Sequence, residues 1–181
     1  ASNIKYDEIS NITKHCDVVS LLIPDKTIPD VFNKYVFPYL REGQTILFSH
    51  GYNIHYKTII VPDYVNVVMV APSGGGKVVR DSFKDGGGVP TLIAIDRDFT
   101  GDSLNLIKSY SKGIGGTRIC AFLSTFKEET ETDLFGEQVV LTGGLPYYIN
   151  KSLKVLIDSG YSPIVAWFVC YYELKTIVEL F

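Results

Sequence analysis

The sequence has few of the residues that announce a specialised class. Its three cysteines, Cys16, Cys120 and Cys170, stand singly and far apart. An odd number without CxxC spacing excludes a disulfide framework and a zinc knuckle, and makes a reducing cytoplasm the expected compartment. A basic surplus is missing too: 17 Lys plus Arg face 20 Asp plus Glu, a net charge of -3. A polyanionic backbone finds no electrostatic footprint here, so nucleic acid is not an expected partner. Long apolar runs are absent. The longest, Ile164 to Tyr172, is about half of the ~20 residues that span a bilayer and reads as buried helix, so no membrane partner is expected. The opening Ala1-Ser2-Asn3-Ile4-Lys5-Tyr6-Asp7-Glu8 lacks the basic and apolar pattern of a signal segment.

What is present is an ordinary globular composition over 181 residues, 46% hydrophobic and 20% charged, enough for one domain and a piece of another. The first part alternates short β-branched runs with helical stretches. Cys16 to Ile23, ending at Pro24, reads as a strand buried on both faces. Pro29 opens a helix to about Leu40, stopped by Glu42-Gly43. Further strands are expected at Thr45 to Phe48, Val65 to Val70, Thr91 to Ile95 and Arg118 to Leu123, with a helix at Asp102 to Lys112. This alternation predicts an α/β domain with a mostly parallel sheet. After about Thr125 the strands stop. Glu128 to Leu141, Ile149 to Ser159 and Pro163 to Leu180 carry helical spacing, with Ser162-Pro163 as N-cap and first-turn proline. The expected division is therefore 1–124 as α/β and 125–181 as all-α. Both ends read as cut: Glu179-Leu180-Phe181 is uncapped apolar helix, and no G-x-G-x-x-G turn lies near the start.

Three segments could carry chemistry. Thr125 to Gln138 puts five acids into ten positions, Glu128 to Glu137. Glu129, Asp133 and Glu137 at i, i+4, i+8 share a helical face and could converge on a hard cation such as Mg²⁺. The bland alternative is a solvated helix start with Thr125-x-x-Glu128 as a capping box. Ser49-His50-Gly51-Tyr52-Asn53-Ile54-His55-Tyr56 follows a strand end, where open α/β sheets hold ligands, and His50 can serve as proton shuttle there or as a loop histidine satisfied by backbone. Ala71-Pro72-Ser73-Gly74-Gly75-Gly76-Lys77-Val78 fails the G-x-x-x-x-G-K-[ST] test at both ends; it reads as a flexible loop able to touch an anion, with Arg80 adding charge. Glu173, alone on an apolar helical face, needs solvent, Lys175 or a metal.

Phe126-Lys127-Glu128-Glu129-Thr130-Glu131-Thr132-Asp133-Leu134-Phe135-Gly136-Glu137-Gln138 resembles the metal-binding signature of ketol-acid reductoisomerases, also called acetohydroxy acid isomeroreductases. The resemblance extends through Asp17-Val18-Val19, Pro24-Asp25, His50 to His55, Val70-Ala71-Pro72, Gly86 to Pro90, Gly113 to Gly116, Gly143-Gly144 and Glu173-Leu174-Lys175. It implies a Rossmann-like domain, here without its first βαβ unit, followed by the start of a knotted helical domain. It also implies an oligomer, dimeric or larger. The implied chemistry is Mg²⁺-dependent alkyl migration in a 2-aceto-2-hydroxy acid followed by NADPH reduction to a 2,3-dihydroxy acid, in branched-chain amino acid synthesis. By the same resemblance Asp133 bridges two Mg²⁺ ions, Glu137 binds one, Glu173 serves the second from a neighbouring subunit, and Pro24 and His50 lie beside the cofactor.

The departures are specific. Where the family has Lys-Gly-Pro-Gly-His, this chain has Ser73-Gly74-Gly75-Gly76-Lys77, so a cation is lost for which Lys77 offers partial replacement. Where the family has a metal-binding glutamate four residues before Glu173, this chain has Val169, which cannot ligate; the nearby family histidine is Tyr172. Two readings follow: a catalytic family member, or a degenerate one serving as structural or regulatory partner. The isolated 181 residues are expected to show no turnover, because the reaction needs metals, cofactor and positioning together.

Overall fold

The computed structural model describes residues 4–180, and the chain divides into two compact units, 1–130 and 131–181. In the first, β1 (Val18–Leu21), β2 (Thr45–Phe48), β3 (Asn66–Pro72), β4 (Thr91–Arg97) and β5 (Ala121–Leu123) form one sheet in sequence order. Three of the four pairings are parallel; β4 runs antiparallel to β3. Both faces are covered, as the unbroken apolar runs require. Ile46, Phe48, Val67 and Met69 point to one core, shared with Val19, Leu21, Phe32 and Val36; Leu47, Val68, Val70 and Ile93 point to the other, shared with Ile107. Successive strand residues therefore feed opposite cores, the period-2 signature of a doubly covered sheet.

The helices depart from the sequence expectation in instructive ways. The single helix expected from Pro29 to Leu40 is instead a short 3₁₀ turn (Asp25–Thr27), then α2 (Ile28–Val31), which widens into a π segment (Phe32–Val36) and ends in a 3₁₀ turn at Phe37–Tyr39. Pro38 lies in that last turn; a proline has no N–H to give and crowds the carbonyl four residues back, so the α-helical ladder cannot run through it. The glycine-rich stretch expected as a flexible loop becomes the start of α4 (Gly76–Lys84), with Gly75 at the N-cap position and Lys77 paired to Asp81 one turn on. Two short helices carry no sequence signal strong enough to have been read: α1 (Ile9–His15) and α3 (Tyr52–His55). The helix expected at Asp102 to Lys112 is α5 (Ser103–Gly113), on the Leu47 face through Ile107.

Helix α6 (Phe126–Phe135) starts in the first unit and runs into the second. Its start is capped by Thr125, whose Oγ1 accepts from Glu128 N–H at 3.0 Å; the Glu128 carboxylate accepts from Ser124 Oγ at 2.8 Å. In the second unit the chain passes through a π segment (Gly136–Leu141) to α7 (Gly144–Asp158), α8 (Pro163–Trp167), another π segment (Phe168–Tyr172) and α9 (Glu173–Val178). Ser162 stands at the N-cap of α8 but makes no side-chain cap hydrogen bond, so Pro163 alone sets that start. Gly143 and Gly144 are required: a Cβ on either would collide with the carbonyl oxygens of Gln138 and Val139. Tyr171 Oη donates to Asn150 Oδ1 at 2.7 Å, tying the second π segment to α7. No helix among the described residues is long and apolar enough to cross a membrane.

Candidate functional site

The C-terminal ends of β1, β2 and β3 open onto a cleft of about 620 Å³. Leu22 and Ile23 after β1, Leu47 and Ser49 around the end of β2, and Val70 and Pro72 of β3 form one wall. Val79, Arg80 and Phe83 of α4 with Tyr110 of α5 form the other. Strand ends of an open α/β sheet are where the loops can hold a ligand without disturbing the core. The walls are mainly apolar, with Ser49, Gly74, Gly76 and Arg80 among the lining residues. Lys77 does not join it: its Nζ bonds the Asp81 carboxylate on the solvent side of α4. Ser73 is exposed and brings no cation.

His50 sits at the same end of the sheet, two residues after β2. Its Nδ1–H donates to Glu129 Oε1 at 2.8 Å, and the other carboxylate oxygen, Oε2, accepts the Gly51 N–H at 2.8 Å. Thr130 Oγ1 lies 3.4 Å from the same Oε2. Glu129 is buried at 4% exposure, and a buried carboxylate needs such partners to offset the loss of water. The first turn of α6 is pressed onto the strand end by Phe126, which packs edge-on against Phe48 with ring centroids 6.1 Å apart. Gly51 admits that approach because it has no side chain: a Cβ there would lie 2.6 Å from Phe126 O and collide with Thr130 Oγ1. Beside this pair, Asn53 Nδ2 donates to Asp25 Oδ1 at 3.0 Å. Burial pushes the Asp25 carboxyl above its ordinary range and the Glu129 charge adds to the rise, while His50 and the Asn53 hydrogen bond oppose it.

Of the residues named from sequence, His50 is thus locked by a carboxylate 79 positions away. Pro24 is exposed, next to Ile23 of the cleft wall, and its carbonyl accepts from Thr27 N–H at 2.8 Å. Asp133 lies one turn beyond Glu129 on α6, exposed; Glu137 is exposed in the π segment that follows, and Glu173 exposed at the start of α9. Val169, in the turn before Glu173, is exposed and offers no oxygen. Glu129 is buried where Asp133 and Glu137 are exposed, and its carboxylate turns to His50 and Gly51. The signal for that was present in Phe126, Glu129 and Thr130, which at i, i+3 and i+4 form the buried stripe of the helix. Asn53 and Asp25 lie in stretches that carry the family resemblance, Pro24-Asp25 and His50 to His55, but the sequence assigns neither a role.

Residues 1–120 match the acetohydroxy acid isomeroreductase NADPH-binding domain, and residues 126–181 match the ketol-acid reductoisomerase C-terminal domain. The chain belongs to the ketol-acid reductoisomerase family. It is 49% identical over 172 residues to the ketol-acid reductoisomerase (NADP(+)) of Methanocaldococcus jannaschii and 48% identical over 172 residues to that of Pyrococcus abyssi, each alignment covering 95% of this chain and 52% of the relative. Among solved structures, an NADH-preferring ketol-acid reductoisomerase from an uncultured archaeon superimposes with a TM-score of 0.92 at 38% identity, covering 95% of this chain and 52% of that one. The chain therefore spans about half the length of the ketol-acid reductoisomerases it matches. The sheet with helices on both faces is the family's Rossmann-like domain, and the helical second unit falls within the match to the family's C-terminal domain.

Proposed function

We propose that this chain serves ketol-acid reductoisomerase chemistry: Mg²⁺-dependent alkyl migration within a 2-aceto-2-hydroxy acid, then reduction by NADPH to a 2,3-dihydroxy acid, a step towards valine, isoleucine and leucine. The observation that carries the reading is the His50–Glu129 pair at the end of β2, beside the cleft, in a chain whose two parts match the two domains of the family. With Nδ1–H committed to Glu129, the His50 imidazole can take up and return a proton through its other ring nitrogen. Glu129 fixes that tautomer and stabilises the imidazolium when the proton is held. The cleft suits a dinucleotide, apolar walls for a flat ring and the Arg80 cation with the Gly74 and Gly76 backbone for phosphate.

By the family resemblance Asp133, Glu137 and Glu173 would supply carboxylate oxygens, which suit a hard cation, and we assign Mg²⁺ to them. When bound, Mg²⁺ supplies Lewis-acid polarisation of the substrate oxygens. Val169 leaves a second ion one charged ligand short. A homo-oligomer, dimeric or larger, belongs to the same reading and is supported by the exposed apolar side chains between Val139 and Val178. The test is NADPH oxidation by the intact protein with 2-acetolactate, with and without Mg²⁺. Metal-dependent turnover is expected; a folded, intact protein that gives none overturns the catalytic reading.

A second reading, a non-catalytic family member acting as a structural or regulatory partner, is favoured by one set of observations: Ser73 and Val169 both lack the charge the family uses, and Lys77 is engaged by Asp81. Calorimetric Mg²⁺ titration separates the two. Under this second reading the unmodified protein binds no Mg²⁺ and Val169→Glu with Ser73→Lys restores binding; tight binding by the unmodified protein rules it out.

A further inference from the structure

We infer that Asn53 is a positioning residue for His50, acting by tying the Asp25 loop to the segment that carries the imidazole at the strand-end site. The inference rests on the functional reading above and extends it to a side chain outside the predicted set. Asn53 is fully buried at 0% exposure on α3, three residues beyond His50. A buried amide has both a carbonyl and an NH₂ to satisfy, and here each has one partner on a different segment. The Thr58 hydroxyl donates to Asn53 Oδ1 at 2.5 Å, and Thr58 N–H donates to the Asn53 main-chain carbonyl at 3.0 Å. Because a carboxylate oxygen accepts, the amide turns Nδ2 to Asp25 Oδ1, 3.0 Å away, which leaves the amide Oδ1 to accept from the Thr58 hydroxyl.

The backbone is bent to make this arrangement. Lys57 has φ of 54°, the only described non-glycine residue in the left-handed region, and that turn brings Thr58 back onto Asn53. A bulky side chain held in this conformation costs free energy, and such a cost persists where the surrounding contacts select it. The tie therefore runs from the loop after β2, through one amide, to the loop after β1. Asp25 is the group it delivers, and Asp25 feels both His50 and Glu129 electrostatically. Glu129 thus bonds Nδ1 of His50 directly, and Asn53, three residues after His50, holds the Asp25 carboxyl that feels the His50 charge. Displacing Asp25 changes the field at His50.

Asn53→Ala and Thr58→Val test this. Thr58 is exposed, so its replacement by an isosteric valine keeps the fold while removing the hydroxyl that anchors the amide oxygen. In the intact protein both variants are expected to lower kcat, Asn53→Ala by up to about a hundredfold and Thr58→Val by roughly tenfold, with KM changed less than about twofold. Asn53→Ala and Asp25→Asn combined should cost little more than the larger single effect, since they act through one path. In this chain the His50 imidazole nitrogen resonances, distinguished from those of His15 and His55, should move in both variants. A folded Thr58→Val protein with unchanged kcat, additive Asn53 and Asp25 effects, or an unmoved His50 resonance overturns the inference. If the unsubstituted protein shows no turnover, the functional reading fails, and the His50 resonances alone decide the positioning role.

Discussion

The two units solve the burial problem differently. In the first, the sheet is sandwiched between two apolar cores, and Phe32, Val36, Ile46, Leu47, Val65, Val68, Met69 and Ile107 are wholly buried. In the second, Ile149 and Ala166 are the only apolar side chains among the described residues that reach the buried class, while Trp167, Phe168, Val169, Tyr172 and Leu180 stand exposed. The first unit's stability comes from side chains packed on side chains within the unit. The helices of the second keep their main-chain hydrogen bonds but leave their apolar faces uncovered by the described residues. Glu129, Gly51 and Phe126, all of the first unit, take part in holding His50 at the strand end.

Substitutions that open the first core sharpen this contrast most. Phe32→Ala removes a ring with 0% exposure and is expected to cost about 3–5 kcal/mol, read from urea unfolding followed by far-ultraviolet circular dichroism. Gly51→Ala comes next. Its methyl group meets Phe126 O and Thr130 Oγ1, so α6 must back away from the strand end, with an expected loss of about 1–3 kcal/mol and a broken His50–Glu129 bond. Unchanged stability together with an intact Nδ1–H signal would remove the docking of α6 from the account. Trp167→Ala, at 46% exposure in the second unit, should change unfolding by no more than about 0.5 kcal/mol. A cost of Phe32 size would show that the tryptophan is covered in solution.

Parts of this architecture were legible before any coordinates. Thr45 to Phe48 was read to its ends, because an apolar β-branched run bounded by Gly43 and Gly51 has no helical alternative of that length. His50 was legible as a site residue because it follows a strand end. Its partner was not singled out: Glu129 reads as one more acid in an acidic helix start, and only the folded chain shows that the Phe126 stripe turns it inward. Three successive glycines weigh towards a loop and hide helix α4, yet Gly75 serves as an N-cap and half-buried Val79 and Phe83 face the cleft. The breaks into π segments at Phe32–Val36 and Phe168–Tyr172 have no simple sequence sign beyond Pro38, since apolar spacing constrains which face is buried more than how tightly the turns are wound.

The smallest expected effect on stability carries a sign that separates folding from function. The Asp25 carboxyl is raised mainly by burial, so its ionised form is less favourable in the folded protein than in the unfolded chain. A carboxyl raised on folding leaves stability intact below the unfolded value, near pH ~3.9, and removes some of it as pH rises through the folded value. Asp25→Asn keeps an oxygen to accept from Asn53 and carries no charge, so it should match the unsubstituted chain in acid and unfold at a slightly higher temperature at neutral pH. Thermal unfolding at pH 3.5 and pH 7 measures the difference; a variant less stable at pH 7 reverses the sign and removes burial as the dominant influence on Asp25. Taken with the expected fall in kcat, a more stable but slower Asp25→Asn protein would mean that the charge is kept at a cost to folding because His50 needs it.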